Sequence, residues 1–253
     1  MRLRVLGTGS KGNSYLLEAD SATLILDAGL QWTKILPELP VGLAGVVGCL
    51  VTHEHLDHAK AVGNMLRHGI KVIMSPGTWE AVSERDGLDA EKYGRLSLLL
   101  SHGQYARVPP FTVMAVRAEH DAKEPLAFII RHEPTGETVL YATDTYKLPN
   151  RYPDINYWIV ECNYTLDKVE ALQEDPERLF LFERLAQSHM SLERLCNSLR
   201  ANDLSKTRKI VLVHISQERG DPERMTEVVQ SVTGIQTVSA CNGLEIELGT
   251  CPF

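Results

Sequence analysis

The chain runs to 253 residues, 43% of them hydrophobic and 23% charged, with a formal net charge of −7. That length suits one domain with a sizeable core, and the composition is globular, which excludes a disordered or fibrous chain. The negative balance argues against a broad basic face for holding long nucleic acid, and no run approaches the ~18 apolar residues of a membrane span.

The five cysteines, Cys49, Cys162, Cys196, Cys241 and Cys251, are scattered and form no Cys-x-x-Cys pair. They predict neither a disulfide framework nor a thiolate metal site, and they fit a reducing compartment. The opening residues, Met1 to Gly9, are charged and turn early, unlike a signal peptide. A soluble, cytoplasmic, single-domain protein covering residues 1–253 is expected.

In chain order, Leu3–Gly7, Tyr15–Ala19 and Thr23–Asp27 read as short strands separated by turn residues, Gly7 to Asn13 and Asp20-Ser21. The glycine-rich turn is not a phosphate-binding Walker loop, because Asn13-Ser14 follows Gly12 in place of Lys-Ser or Lys-Thr; a tight strand-to-strand turn is expected over direct phosphate binding. Val46–Val51 is a continuous apolar run, as in a strand buried on both faces. A helix from about His58 to Arg67 should bury Val62, Met65 and Leu66. Phe111–Arg117, Leu126–Arg131 and Thr138–Ala142 read as strands, with Pro134-Thr135-Gly136 turning the last two. In the second half, Tyr157–Glu161 and Ile210–His214 read as strands, Pro176–Ala186 and Leu192–Leu199 as helices, the latter capped by Ser191. Asp221-Pro222 opens a helix with Met225, Val228, Val229 and Val232 along one face, and Gln236–Ser239 and Leu244–Leu248 end the chain as strands. The mixture predicts an α/β fold, with sheets packed face to face and helices outside.

The segment that carries chemistry is His53-Glu54-His55-Leu56-Asp57-His58. Three imidazoles and a carboxylate follow a buried strand, where they are costly without a metal to satisfy them. In extended chain His53 and His55 point to one side, while Asp57 and His58, at the opening of a helix, can face a second point nearby. Imidazole with carboxylate suits Zn²⁺, and also Mn²⁺ or Fe. The remaining ligands should come from other strand ends, and His120, Asp144 and His214 stand at three of them. Together they complete a three-His site and a neighbouring site of two His and two carboxylates, with one carboxylate shared. His68, His102 and His132 have no motif around them and are expected in surface or turn roles.

The His-x-His-x-Asp-His pattern, with Asp27 in Leu-Ile-Leu-Asp-Ala-Gly, His120, Asp144 in Tyr-Ala-Thr-Asp-Thr and His214 in Leu-Val-His-Ile-Ser, resembles the metallo-β-lactamase superfamily along nearly the whole chain. The resemblance implies an αββα sandwich. It also implies two divalent metal ions, Zn²⁺ first and Mn²⁺ second. His53, His55 and His120 would hold one ion and Asp57, His58 and His214 the other, with Asp144 bridging and Asp27 behind the ligands. Glu161-Cys162-Asn163, Ser188-His189-Met190-Ser191 and His214-Ile215-Ser216, in that order, resemble the phosphodiesterase branch that contains ribonuclease Z. The Gly-x-Gly-Ser-x-Gly-Asn-Ser opening and His120-Asp121-Ala122 resemble hydrolases of the YycJ/WalJ type.

The resemblance implies catalytic roles for Asp57, His189 and Glu161. His189, oriented by Glu161, would protonate the departing oxygen of a phosphodiester, while Asp57 would accept a hydrogen bond from the nucleophile. The chain lacks the inserted arm with which ribonuclease Z holds its tRNA. In compactness and motif layout it looks like the anti-Pycsar phosphodiesterases of phage type. The favoured expectation is therefore hydrolysis of 3′,5′-cyclic nucleotides to nucleoside monophosphates. The alternative is a nuclease acting on RNA or single-stranded DNA. Relatives of this branch imply a homodimer.

Overall fold

The computed structural model describes residues 1–148, 151–170 and 179–249. It divides into two compact units, one of residues 1–116, 122–136 and 241–253, the other of residues 117–121 and 137–240.

The first unit is built on a seven-stranded mixed sheet. Its strands are β1 (Arg2–Gly7), β2 (Ser14–Ala19), β3 (Ala22–Leu26), β4 (Val46–Leu50), β5 (Val72–Met74), β6 (Ser97–Leu99) and, from the chain end, β14 (Glu245–Glu247). They lie in the order β14-β1-β2-β3-β4-β5-β6. The β14/β1, β1/β2 and β2/β3 pairs are antiparallel, whereas β3, β4, β5 and β6 run parallel. Parallel strands are covered on both faces, and every residue of β3 is buried. Strands β7 (Tyr105–Val108), β8 (Phe111–Arg117) and β9 (Leu126–His132) follow, with β7 and β8 paired antiparallel.

The helices of this unit are α1 (Trp32–Ile35), α2 (Leu56–Ala59), α3 (Val62–Arg67), α4 (Pro76–Asp86) and α5 (Ala90–Tyr93). The single helix expected from His58 to Arg67 is thus two short ones. The break falls at Ala61, whose amide leaves the helical pattern to donate to the carbonyl of Ala28 at 2.8 Å. Helix α3 still buries Val62, Met65 and Leu66, packed in one cluster with Trp32, Cys49, Val72 and Val82. Between Arg67 and Phe111, where the sequence reading places no element, stand β5, α4, α5, β6 and β7.

The second unit carries four parallel strands, β10 (Thr138–Ala142), β11 (Tyr157–Glu161), β12 (Lys209–Val213) and β13 (Gln236–Ser239), in the order β13-β12-β11-β10. The interior strand β11 is buried at every residue. Helix α6 spans Leu179–Ser188; the first residues of the expected Pro176–Ala186 helix lie outside the described residues. Helix α7 (Leu192–Arg200) buries Leu192, Leu195, Cys196 and Leu199, one face at helical spacing, and Ser191 caps it by accepting from the amide of Arg194. Helix α8 (Pro222–Thr233) has Asp221 as cap and Pro222 in its first turn, with Met225 and Val229 buried. Among the described residues no helix is long and apolar enough to cross a membrane.

Candidate metal centre and its two ligand groups

In the first unit the parallel strands β3 and β4 both end beside the His53–His58 segment. Asp27 follows β3 with a left-handed backbone (φ +58°) and is fully buried. Its Oδ1 accepts from the amide of Thr52 at 2.8 Å, and its Oδ2 lies 2.8 Å from Nδ1 of His58. The carboxylate holds the His58 proton on Nδ1 and so places the lone pair on Nε2, which lies 3.5 Å from Oδ2 of Asp57. His53 places Nδ1 3.1 Å from the hydroxyl of Thr52 and Nε2 3.0 Å from Nδ1 of His55. Two imidazole nitrogens on one tetrahedral zinc ion would stand about 3.3 Å apart, given Zn–N distances near 2.0–2.1 Å. The His53/His55 spacing fits such an ion.

Two further residues, Arg85 and Asn13, fix this segment. Arg85 of α4 donates from Nη1 to the carbonyl of Glu54 at 3.0 Å and from Nη2 to that of Ala59 at 2.8 Å, bracketing His55, Asp57 and His58. Asn13, in the glycine-rich turn after β1, donates its amide N–H to the carbonyl of Asp57 at 2.7 Å. That turn is the tight strand connection expected: the amides of Gly9, Gly12 and Asn13 are bonded to Asn13 Oδ1, the Gly9 carbonyl and the Asp57 carbonyl. They are not displayed as an anion nest.

The second unit gathers His120, Asp144, Glu161, His189 and His214. Asp144 follows β10 and His214 follows β12, both with left-handed backbone (φ +47° and +53°), while Glu161 is the last residue of β11. Non-glycine residues in that region are uncommon and concentrate at functional sites. Asp144, Glu161, His189 and His214 each offer a ligand atom, all within 4.8 Å of one another. His214 Nδ1 lies in close contact with Oδ1 of Asp144 and 3.4 Å from Oε1 of Glu161. His120 donates from Nδ1 to the carbonyl of Ser188 at 2.7 Å, and its Nε2 lies 3.7 Å from Oδ2 of Asp144. Glu161 accepts from Nδ1 of His189 at 2.6 Å with one oxygen, and from the amides of Thr145 at 2.9 Å and Met190 at 3.2 Å with the other.

Exposure separates these side chains. His120, Asp144, Glu161 and His214 are 0–3% exposed and His189 is 22% exposed, so in this group His189 is the one open to a substrate. Electrostatics separates them too. Burial would push His214 down, but Asp144 and then Glu161 hold it up, at about 10. The negative field that stabilises an imidazolium there is the field that draws a metal cation. Burial also opposes the charged form of His189, yet Glu161 raises its pKa, and His189 in return lowers that of Glu161 against the penalty of burial. His120, where burial outweighs Asp144, is lowered, as suits a neutral ligand.

The other histidines take the surface and turn roles expected. His68 caps α3, its Nδ1 2.8 Å from the carbonyl of Asn64. His132 closes the turn after β9 with Thr135, and His102 is exposed.

Comparison with known proteins adds four findings. The family profile described as "Beta-lactamase superfamily domain" matches residues 23–215. The exodeoxyribonuclease WalJ of Streptococcus pneumoniae is 28% identical over 243 residues, 89% of this chain and 86% of its own. The anti-Pycsar protein Apyc1 of Saccharibacillus brassicae is 32% identical over 83 residues, 30% of this chain and 33% of its own. Among solved structures, the metallo-β-lactamase fold protein YhfI of Bacillus subtilis covers 97% of this chain with 98% of its own, at a TM-score of 0.71 and 15% identity. Two mixed sheets with flanking helices, in the metallo-β-lactamase fold, are therefore what the chain forms.

Proposed function

The chain belongs to the beta-lactamase superfamily, and on that premise we propose that it is a dinuclear-metal phosphodiesterase that trims DNA strands. The observation that carries phosphodiester chemistry is His189. It is an imidazole more open than its neighbours, anchored at Nδ1 by a buried carboxylate 2.6 Å away, beside His120 and His214 with ring centroids at 5.5 and 5.3 Å.

In this reading His53, His55 and His120 hold one divalent ion and Asp57, His58 and His214 the other, with Asp144 shared. Zinc is the first choice of metal and manganese the second. The ions, when bound, lower the pKa of water and offset charge on the phosphoryl oxygens. The side chains do the rest. Asp57 accepts a hydrogen bond from the attacking water. His189 gives the proton on Nε2 to the oxygen that leaves as the new O–P bond forms and the old P–O bond breaks. Glu161 keeps the His189 ring in place and its charged form favoured.

A DNA substrate is supported by the likeness to the exodeoxyribonuclease WalJ, which extends along 89% of the chain. The second reading, 3′,5′-cyclic nucleotides, is supported by the shorter likeness to anti-Pycsar Apyc1 and by the compact, acidic chain. A cytoplasmic homodimer completes the proposal, by resemblance to the same branch. The test is a panel of end-labelled single- and double-stranded DNA, RNA and 3′,5′-cyclic nucleotides, with products separated by chromatography. Mononucleotides released from DNA ends, at a rate falling steeply with salt as contacts to several phosphates require, are expected. Linearised cyclic nucleotides beside intact DNA would install the second reading.

A further inference from the structure

The glycine-rich turn between β1 and β2 has one residue whose contacts exceed what a turn needs. We propose that Asn13 is a positioning residue for Asp57 and His58, and that through it the turn sets half of the metal centre. The inference rests on the reading of Asp57 and His58 as ligands.

Asn13 is fully buried, and its backbone and side chain bind four separate pieces of chain. Its N–H donates to the carbonyl of Asp57 at 2.7 Å, and its own carbonyl accepts from the amide of Gly29 at 2.9 Å. Oδ1 accepts from the amide of Gly9 at 2.9 Å and from the hydroxyl of Tyr15 at 3.2 Å. With Oδ1 pinned, the orientation of the amide is set. Nδ2 then lies 3.2 Å from the Gly9 carbonyl, 3.3 Å from the Asp57 carbonyl and 3.0 Å from Nε2 of His58. Asp27 keeps the His58 proton on Nδ1, so the Nε2 lone pair is the one a metal ion would take, and Nδ2, 3.0 Å away, keeps its protons for the carbonyls of Asp57 and Gly9. One residue therefore holds, through its backbone N–H and its side-chain amide, the Asp57 carbonyl in the peptide that joins the two ligands.

The glycines explain why this grip is tight. A Cβ on Gly29 would stand 1.7 Å from the carbonyl oxygen of Asp57, and a Cβ on Gly12 2.7 Å from the carbonyl of Gly29. The three backbones are stacked without room for side chains, and the carbonyl of His58 is held as well, accepting from the amide of Ala28 at 2.7 Å. Asn suits position 13 for a chemical reason. Aspartate would set a second oxygen against the Asp57 carbonyl, and alanine would leave that carbonyl without its side-chain donor. Such outer partners commonly change metal affinity about 10- to 100-fold when removed.

The test compares wild type with Asn13→Ala by competition against a chromophoric zinc chelator, which resolves two dissociation constants. Unfolding of each protein in excess chelator is followed by circular dichroism. The expected result is that one of the two ions binds about 10- to 100-fold more weakly, the other stays within about two-fold of wild type, and the metal-free variant still unfolds cooperatively. Two ions held at wild-type affinity would overturn the role of Asn13. A wild type that binds no metal would instead overturn the ligand reading itself. If Asn13→Ala does not fold without metal, Tyr15→Phe decides. It removes one hydroxyl, which bonds Oδ1 at 3.2 Å and Oγ1 of Thr8 at 2.9 Å, and it should weaken the same ion by a smaller factor; unchanged affinities there would also refute the proposal.

Discussion

If His189 supplies the proton that lets the leaving oxygen depart, then the damage done by His189→Ala must scale with the basicity of that oxygen. A sugar alkoxide needs the proton, whereas p-nitrophenolate leaves without it. General acid catalysis contributes roughly 10²–10⁴-fold, about 3–5 kcal/mol of barrier. The structure sets this term apart from folding and from metal binding. Removing the ring leaves Glu161 buried, still accepting from the amides of Thr145 and Met190 but short of its 2.6 Å charged partner. That loss should lower stability by about 1.5–3 kcal/mol, a decrease that a denaturation curve reads separately. The assay measures kcat/KM for an oligonucleotide and for bis-p-nitrophenyl phosphate on one metal-loaded preparation, with metal content determined in parallel. A loss of ~100-fold or more on the nucleotide and below ~10-fold on the nitrophenyl ester is expected, with metal retained. Equal losses on both would refute the general-acid role, and loss of metal would make His189 a ligand. Glu161→Gln supplies the pH arm. Glu161 raises the pKa of His189, so its neutral analogue should move the alkaline limb of the pH–rate profile to lower pH.

Two further predictions concern the supports of the fold and site. Asp27→Asn sets an amide NH₂ against Nδ1 of His58, which now lies 2.8 Å from a carboxylate oxygen, and so favours the tautomer with its proton on Nε2. Metal affinity should fall about 10- to 100-fold, read as metal retained after dialysis against a weak chelator; full retention would refute the tautomer argument. Tyr157 is buried and donates to Glu137 at 2.8 Å, and burial followed by that bond pushes its pKa from 10 to about 12. The folded state therefore holds this proton more tightly than the unfolded chain. The stabilisation is complete below pH 10 and drains away between 10 and 12. Urea midpoints for wild type should fall faster over that window than those of Tyr157→Phe, and parallel curves would refute the shift.

What the sequence makes legible here is chemistry carried by local order, and what it hides is support carried by remote backbone. His53, His55, Asp57 and His58 stand out because a buried strand reads as an apolar run, and polar residues crowded at its end need a reason. Asp144, Glu161 and His214 come at or just after the same kind of strand end. The caps Ser191 and Asp221 are equally local, each satisfying an amide three residues on, and Ser75-Pro76 at the start of α4 carries the same signal. By contrast, nothing near Ala61 announces that its amide will leave the helix for the carbonyl of Ala28. Nor does the surrounding sequence give Arg85 a reason to hold the carbonyls of Glu54 and Ala59, which lie 31 and 26 residues away. The left-handed backbone at Asp27, Asp144 and His214 is legible only after the fact, because Asp tolerates that conformation in ordinary turns as well. A glycine pattern announces close approach but not its target. In Gly7 to Asn13 the turn can be read from sequence alone, whereas its grip on Asp57, 44 residues further on, appears only when β1 and β3 lie in one sheet and Gly29 lets the backbones meet.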